Sequence, residues 1–219
     1  MNKFSLPKKA VVYVTDAYCG WCWGFSARMG EFEAANRHRV PFTVVSGGLF
    51  VGSRAGAIAN YPYIAEANER IALLTGAVFG PAYQALLEQG DMVMNSLDAG
   101  AALAALRAQA PDRAVHWAHE LQAAFYGRGQ SLSEASTIAA IAKAGGLDDA
   151  LVRQQLADGS AQAAAKADFD LVRHQLHVSS YPTLLFIDGD KVHQLPATGA
   201  ALDVLNRKLD ELLADEVAM

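Results

Sequence analysis

The only two cysteines of this 219-residue sequence stand two positions apart, in Cys19-Gly20-Trp21-Cys22. The apolar residues before them, Ala10-Val11-Val12-Tyr13-Val14, predict a short buried strand, and the residues from Trp23 to about Arg37 have a helical pattern. The motif therefore lies at the amino terminus of a helix, where free N–H groups and the positive end of the helix dipole favour a thiolate. Because the thiolate is the nucleophile of cysteine chemistry, this position predicts redox activity.

The same cysteine spacing also occurs in zinc sites. A structural zinc ion needs four ligands, usually from two such pairs or from one pair and two histidines. The sequence has no second cysteine pair, and its closely spaced histidine pairs, His116/His119 and His174/His177, lie far from the motif along the chain. A redox dithiol is therefore the preferred interpretation, with a structural pair and a zinc site as alternatives, and no metal is expected.

The composition limits the classes of partner. Apolar residues make up 52% of the chain, and the formal net charge is −5 at pH 7 with no block of basic residues, which argues against nucleic acids and anionic membranes as partners. No apolar stretch approaches the roughly 20 residues that span a bilayer. The apolar run after the basic start is too short for a secretory leader, and no further cysteines offer structural disulfides. We therefore expect a cytoplasmic protein.

The order of the elements predicts an α/β fold with a long helical middle. A second buried strand at 40–46 follows the first helix, and residues 182–187 predict a third strand that a hairpin turn joins to a weak edge strand at 192–195. A final amphipathic helix begins near Leu202. Between these parts, residues 53–158 show the start and stop signals of several short helices and no strand-like run.

Several local stretches resemble the DsbA-like branch of the thioredoxin-fold family. They are Asp16 to Phe25 around the cysteines, Val45-Ser46-Gly47-Gly48-Leu49, Ser131-Leu132-Ser133-Glu134 with Ala144-Gly145-Gly146-Leu147-Asp148, and Val178-Ser179-Ser180-Tyr181-Pro182-Thr183-Leu184. The resemblance is strongest to cytosolic members identified as dithiol–disulfide isomerases. It implies a thioredoxin-fold domain formed by residues 1–52 and 159–219, with an all-helical insertion domain formed by residues 53–158.

The resemblance also implies roles for single residues. Cys19 would attack a disulfide, and Cys22 would resolve the mixed disulfide that forms. Pro182 would be the cis-proline beside the dithiol, and the backbone of Tyr181 would pair with an extended substrate. Trp21 could rim the site and stack on a substrate. Asp16, three residues before Cys19, could tune the protonation of the cysteines or serve as a turn or cap residue.

The expected activity is thiol–disulfide exchange with protein or small-molecule thiols and disulfides. The redox-active disulfide Cys19–Cys22 would be the only redox group, and glutathione is a candidate thiol partner. The dipeptide between the cysteines is Gly-Trp rather than the Pro-His of the strongly oxidising periplasmic enzyme, so the direction of net transfer is not implied. The oligomeric state is not implied either.

Two other functions are compatible with the same fold. One is a glutathione-dependent transferase or isomerase of the kappa-like or 2-hydroxychromene-2-carboxylate isomerase type. Those enzymes typically have a serine at the position of Cys19 and lack a resolving cysteine, so Cys22 counts against them. The other is a redox-controlled, chaperone-like binding module.

In the leading interpretation, the insertion sets substrate choice through a groove above Cys19, Trp21 and Tyr181. The thioredoxin-fold core then determines the reduction potential of the dithiol.

Overall fold

The structure is a computed structural model that describes residues 6–214. Its strands are β1 (Lys9–Thr15), β2 (Phe42–Ser46), β3 (Gly56–Ala57), β4 (Val93–Met94), β5 (Thr183–Asp188) and β6 (Lys191–Leu195). Its α-helices are α1 (Gly20–Asn36), α2 (Ile64–Thr75), α3 (Pro81–Gln89), α4 (Ser96–Gln109), α5 (Ala114–Gln122), α6 (Ala135–Ala144), α7 (Asp149–Ala157), α8 (Ser160–Asp170) and α9 (Leu202–Ala214). Short π-helical segments extend α5 over Ala123–Gly127 and α8 over Leu171–Gln175.

Four strands form one mixed sheet in the order β2-β1-β5-β6. β1 runs parallel to β2, with Val14 opposite Val45, and antiparallel to β5, with Val14 opposite Thr183. β5 and β6 form the hairpin that the turn signal predicted. This pairing brings the end of β1, which leads to the cysteines, beside the start of β5, which follows Pro182.

Alternate residues of β1 pack on opposite faces of the sheet, as the two-residue period of a strand requires. Val11 and Tyr13 belong to the large core that contains Phe25 and Met29 of α1. Val12 and its even-numbered neighbours pack instead with residues of the segment after α8 and with β5. Odd-numbered residues of β1 therefore face α1, and this places Tyr13 and Thr15 on the side of the cysteine helix.

The insertion is not all-helical, so that part of the prediction for residues 53–158 is wrong. β3 and β4 pair in antiparallel fashion, Gly56 with Met94 and Ala57 with Val93. The pairing continues as a hydrogen bond from the N–H of Ile58 to the carbonyl of Met92, 2.8 Å. Strands of two residues are too short to leave an alternating pattern in the sequence, and they exist because the fold brings two distant segments together.

The insertion is bound to the rest of the molecule by a buried ion pair. The Arg107 guanidinium on α4 contacts both oxygens of Asp168 on α8, at 3.1 Å and 3.0 Å. The same arginine donates to the carbonyl of Val44, and Asp168 accepts from the N–H of Ser46 at 3.0 Å. The pair thus covers the outer edge of β2. The predicted domain ranges 1–52 and 159–219 extend beyond the described residues at 1–5 and 215–219.

Candidate functional site

Cys19 is the N-cap residue of α1. Its backbone is extended (φ −87°, ψ 111°), and its Sγ accepts a hydrogen bond from the N–H of Cys22 at 3.3 Å. A cap side chain normally satisfies one of the free N–H groups of the first helical turn with an oxygen, and here sulfur takes that place. The Cys19 sulfur therefore receives a donor and lies at the positive end of the helix dipole.

Cys22 lies one turn further into α1 and is fully buried, whereas Cys19 keeps 6% of its surface exposed. Both are free thiols in the structure. Burial raises the pKa of Cys22 well above its ordinary value, and a hydrogen bond with Cys19 raises it further. The Thr15 hydroxyl and the backbone N–H of Asp16 act in the opposite direction. Cys22 is thus the more deeply enclosed of the two thiols.

Tyr181 and Pro182 lie against the dithiol. The peptide bond between them is cis, as the sequence predicts. The Cys19 thiol lies 3.5 Å from the carbonyl oxygen of Tyr181, and the Tyr181 hydroxyl donates to the carbonyl of Gly47 at 2.6 Å. A Cβ atom on Gly47 would lie 2.2 Å from carbons of the tyrosine ring, so only glycine allows this close approach. Burial raises the pKa of Tyr181.

The Asp16 carboxylate connects three segments around the site and is almost fully buried. It accepts hydrogen bonds from the N–H of Tyr18 at 3.0 Å, the N–H of Leu49 at 2.8 Å and the hydroxyl of Ser96 at 3.0 Å. Burial raises its pKa in spite of these donors. The turn role expected for Asp16 is therefore present in the structure, and tuning of the cysteines by its carboxylate stays a prediction.

Helix α2 of the insertion packs directly on the cysteine motif. A Cβ atom on Gly20 would lie 2.9 Å from Cδ1 of Ile71, so a larger residue at this position would have to displace the end of the Ile71 side chain. Trp21 is partly exposed. Its role in binding a substrate stays a prediction. Trp23 stacks on Tyr126, with ring centroids 5.9 Å apart.

A large groove of about 1090 Å³ lies away from the dithiol. It runs along the outer edge of β2, between the end of α1 and the helices α4 and α8, with Phe42, Thr43 and Ala104 among its lining residues. None of Cys19, Trp21 and Tyr181 lines it. The groove that we expected above these three residues is therefore not this one.

Two polar residues near Cys22 were not recognised from the sequence. Gln122, at the end of α5, donates from Nε2 to Oγ1 of Thr15 at 3.3 Å. Both side chains are buried. Gln122 follows Leu121 on the apolar face of a predicted helix, and a glutamine on such a face was the available signal.

Within residues 6–214, no group of three or more histidine, cysteine, aspartate or glutamate side chains could hold a metal ion. In the same range, no helix has both the length and the apolar character needed to cross a membrane.

Solved structures share this fold. A protein disulfide isomerase candidate from Nitrosomonas europaea has a TM-score of 0.80 at 17% identity, over 95% of this chain and 99% of that one. The cytosolic disulfide reductase DsbM from Pseudomonas aeruginosa has a TM-score of 0.79 at 21% identity, over 94% and 99%. A 2-hydroxychromene-2-carboxylate isomerase has a TM-score of 0.61 at 13% identity, over 95% and 98%. At these identities the similarity shows the fold.

No curated protein matches the chain by sequence. Residues 10–205, nearly the whole chain, match the DSBA-like thioredoxin domain family. The match spans the strand before the cysteines, the insertion and the β5–β6 hairpin. With two free thiols at the start of α1 and a cis-proline against them, the chain belongs to the family of DSBA-like thioredoxin domains.

Proposed function

We propose that the protein is a thiol–disulfide oxidoreductase that exchanges disulfides through Cys19 and Cys22. The observation that carries the proposal is the position of the Cys19 sulfur, which caps α1 and lies 3.5 Å from the carbonyl of Tyr181. An extended substrate pairing with the Tyr181 backbone would present its disulfide to this sulfur. Family membership supports the same chemistry.

In the proposed reaction the Cys19 thiolate attacks one sulfur of a substrate disulfide, and the other substrate sulfur leaves as a thiol after taking up a proton. Cys22 then attacks the Cys19 sulfur of the mixed disulfide. The Cys19–Cys22 disulfide forms, and the second substrate sulfur is released. The protein gains one disulfide and the substrate loses one, so a thiol partner must reduce the protein again.

We further propose a cytoplasmic location with glutathione as the thiol partner. DsbM, described as a cytosolic disulfide reductase, has also been solved with GSH, and that structure matches this chain with a TM-score of 0.73 at 21% identity. In this chain, the positive charges of Arg54 and Arg173 both act on the hydroxyl of Tyr181 and lower its pKa against the effect of burial. Arg54 is held near the site by a hydrogen bond to the carbonyl of Gly48, 3.3 Å. Glutathione carries two carboxylates that such arginines would attract.

The first experiment is the reduction of insulin by dithiothreitol, with the wild type compared with Cys19→Ser and Cys22→Ser. Catalysis should be lost in Cys19→Ser, and Cys22→Ser should accumulate a mixed disulfide at Cys19. Glutathione conjugation that survives in Cys19→Ser would instead support the transferase or isomerase alternative. Suppression of aggregation that survives without any catalysis would support the binding module.

The second experiment tests the glutathione site. Arg54→Ala and Arg173→Ala should each raise the KM for glutathione disulfide several-fold and leave the KM for the uncharged hydroxyethyl disulfide unchanged. Arg153→Ala, which removes a surface arginine of α7, is the matched control. Equal effects on both disulfides, or none on either, would contradict recognition of the carboxylates while leaving the exchange reaction itself intact.

A further inference from the structure

We propose that Asp16 is a positioning residue for the recognition of glutathione, because its carboxylate fixes the peptide group that holds Arg54 near the dithiol. The inference deepens the proposed function and rests on it. Asp16 does not touch the substrate in this arrangement. It acts through the peptide group between Gly48 and Leu49, which has the carboxylate on one side and the guanidinium on the other.

The two hydrogen bonds of this peptide group lead to opposite charges. Its N–H, which belongs to Leu49, donates to Oδ2 of Asp16 at 2.8 Å. Its C=O, which belongs to Gly48, accepts from the Arg54 guanidinium at 3.3 Å. Because the N–H and C=O of a trans peptide group point in opposite directions, the group lies between a negative and a positive side chain. Each charge polarises the group in the sense that strengthens the hydrogen bond on the other side.

The segment around this peptide group has little conformational preference of its own. Gly47 and Gly48 are adjacent, and Gly48 has a φ of +74°, a conformation that other residues rarely adopt. Glycine has more backbone freedom than any other residue, so outside contacts must fix the orientation of the segment. The carbonyl of Thr15 accepts from the N–H of Gly47 at 2.8 Å. The next residue, Asp16, accepts from the N–H of Leu49 and so fixes the other end.

The Asp16 carboxylate is in turn held in one position. It is buried, and its other oxygen, Oδ1, accepts from the N–H of Tyr18 and the hydroxyl of Ser96, each at 3.0 Å. The partners of both oxygens are donors, which is the arrangement that an ionised carboxylate satisfies. Asparagine has nearly the same shape, but its NH₂ group would face one of these donors. Asp16→Asn therefore breaks the arrangement without creating a cavity.

The Arg54 side chain takes its direction from this peptide group. Arg54 is exposed, and within residues 6–214 the bond to the Gly48 carbonyl is the hydrogen bond that its guanidinium makes. A long exposed side chain loses rotamer freedom when it binds a ligand, so a fixed carbonyl that already holds it lowers the cost of binding a carboxylate. Arg173, the other arginine proposed to attract glutathione, belongs to the segment after α8. Of these two described residues, Arg54 is the one that is hydrogen-bonded to the peptide group.

The test measures binding without turnover. S-methylglutathione has the carboxylates of glutathione but no free thiol, so its Kd for the reduced protein can be measured by calorimetry whether or not the protein exchanges disulfides. We expect Asp16→Asn and Arg54→Ala each to raise this Kd about fivefold, the effect of losing one exposed charge contact. Asp148→Asn is the matched control, because Asp148 also accepts from backbone N–H groups, at the start of α7, and it should leave the Kd unchanged.

Double variants decide whether Asp16 acts through Arg54. If it does, Asp16→Asn/Arg54→Ala binds no more weakly than Arg54→Ala alone, whereas Asp16→Asn/Arg173→Ala shows the product of the two single effects. No binding to the wild type, an unchanged Kd in Asp16→Asn, or independent effects in both double variants would overturn the proposal. Exchange of hydroxyethyl disulfide by the wild type is measured separately, and its absence would contradict the proposed function instead.

A second measurement leaves the Asp16 carboxylate in place. The amide proton of Leu49 resonates at low field because it donates to a carboxylate, and the Arg54 donor on the same peptide group moves it further. Arg54→Ala should therefore shift the Leu49 amide resonance to higher field by more than Arg173→Ala does. Equal shifts in the two variants would show that the peptide group does not connect Asp16 to Arg54.

Discussion

The stability of the fold should depend strongly on the buried ion pair between Arg107 and Asp168. Only 10% of the Arg107 side chain and 1% of the Asp168 side chain are exposed. Burial raises the pKa of Asp168 even though the arginine lowers it, so the carboxylate depends on this partner to stay charged in the interior. Replacing Arg107 by Met keeps much of the stem and removes the charge, which leaves Asp168 as an unpaired buried carboxylate.

Breaking a buried pair from one side costs about 3–5 kcal/mol, because the remaining charge has lost its compensation. Arg107→Met also removes the donor to the carbonyl of Val44, so we expect the upper half of this range. For a chain of this size, 1 kcal/mol shifts the melting temperature by about 2–4 °C, so the shift should be about 8–20 °C. The double variant Arg107→Met/Asp168→Leu should lose less than the sum of the two single variants, since it contains no unpaired charge.

Urea unfolding followed by circular dichroism would measure the free energies for a double-mutant cycle. Arg28→Ala is the control, because it breaks an ion pair with Glu31 that is exposed, and it should cost less than about 1 kcal/mol. A loss below about 1 kcal/mol in Arg107→Met, or additive losses in the double variant, would show that the pair does not join α4 to α8 and β2 in the way described.

Two further predictions concern the site. Gly47→Ala should displace the Tyr181 ring, which lies 2.2 Å from the added Cβ, and lower the rate of insulin reduction at least several-fold. Gly30→Ala is the control, because a Cβ there meets nothing within 4 Å, and it should leave the activity unchanged. Equal activities in the two variants would contradict this prediction. Asp16→Asn should alter the pH dependence of stability. Because the pKa of Asp16 in the folded protein is raised above the unfolded value of about 3.9, the folded state binds the proton more tightly, so its contribution favours folding at low pH and is lost as the pH rises through the raised pKa. Between about pH 4 and pH 7, the free energy of unfolding measured with urea should therefore fall less with rising pH in Asp16→Asn than in the wild type. Parallel dependences of this free energy on pH in the two proteins would refute the raised pKa of Asp16.

Much of the site was accessible from the sequence because its signals are local. The spacing of Cys19 and Cys22, the strand before them and the helix after them all lie within one short segment, where periodicity and helix-end effects decide the structure. Pro182 could be matched to the family's cis-proline because it stands at the start of a strand in an order of elements that resembles the family. These local patterns indicated an α/β order of elements and placed the two cysteines at a helix end, whereas the cis bond before Pro182 was implied by the family resemblance.

The tertiary structure alone decided which distant side chains meet at the dithiol. Gln122 reaches Thr15 from 107 positions away. Ile71 closes over Gly20, and the pairing of β3 with β4 joins segments too short to carry a pattern. Such contacts depend on how helices of the insertion pack against the sheet, and packing between distant segments leaves no periodic trace in either one. The sequence therefore determined that a dithiol is present at a helix end, and the packing determined which groups surround the buried sulfur.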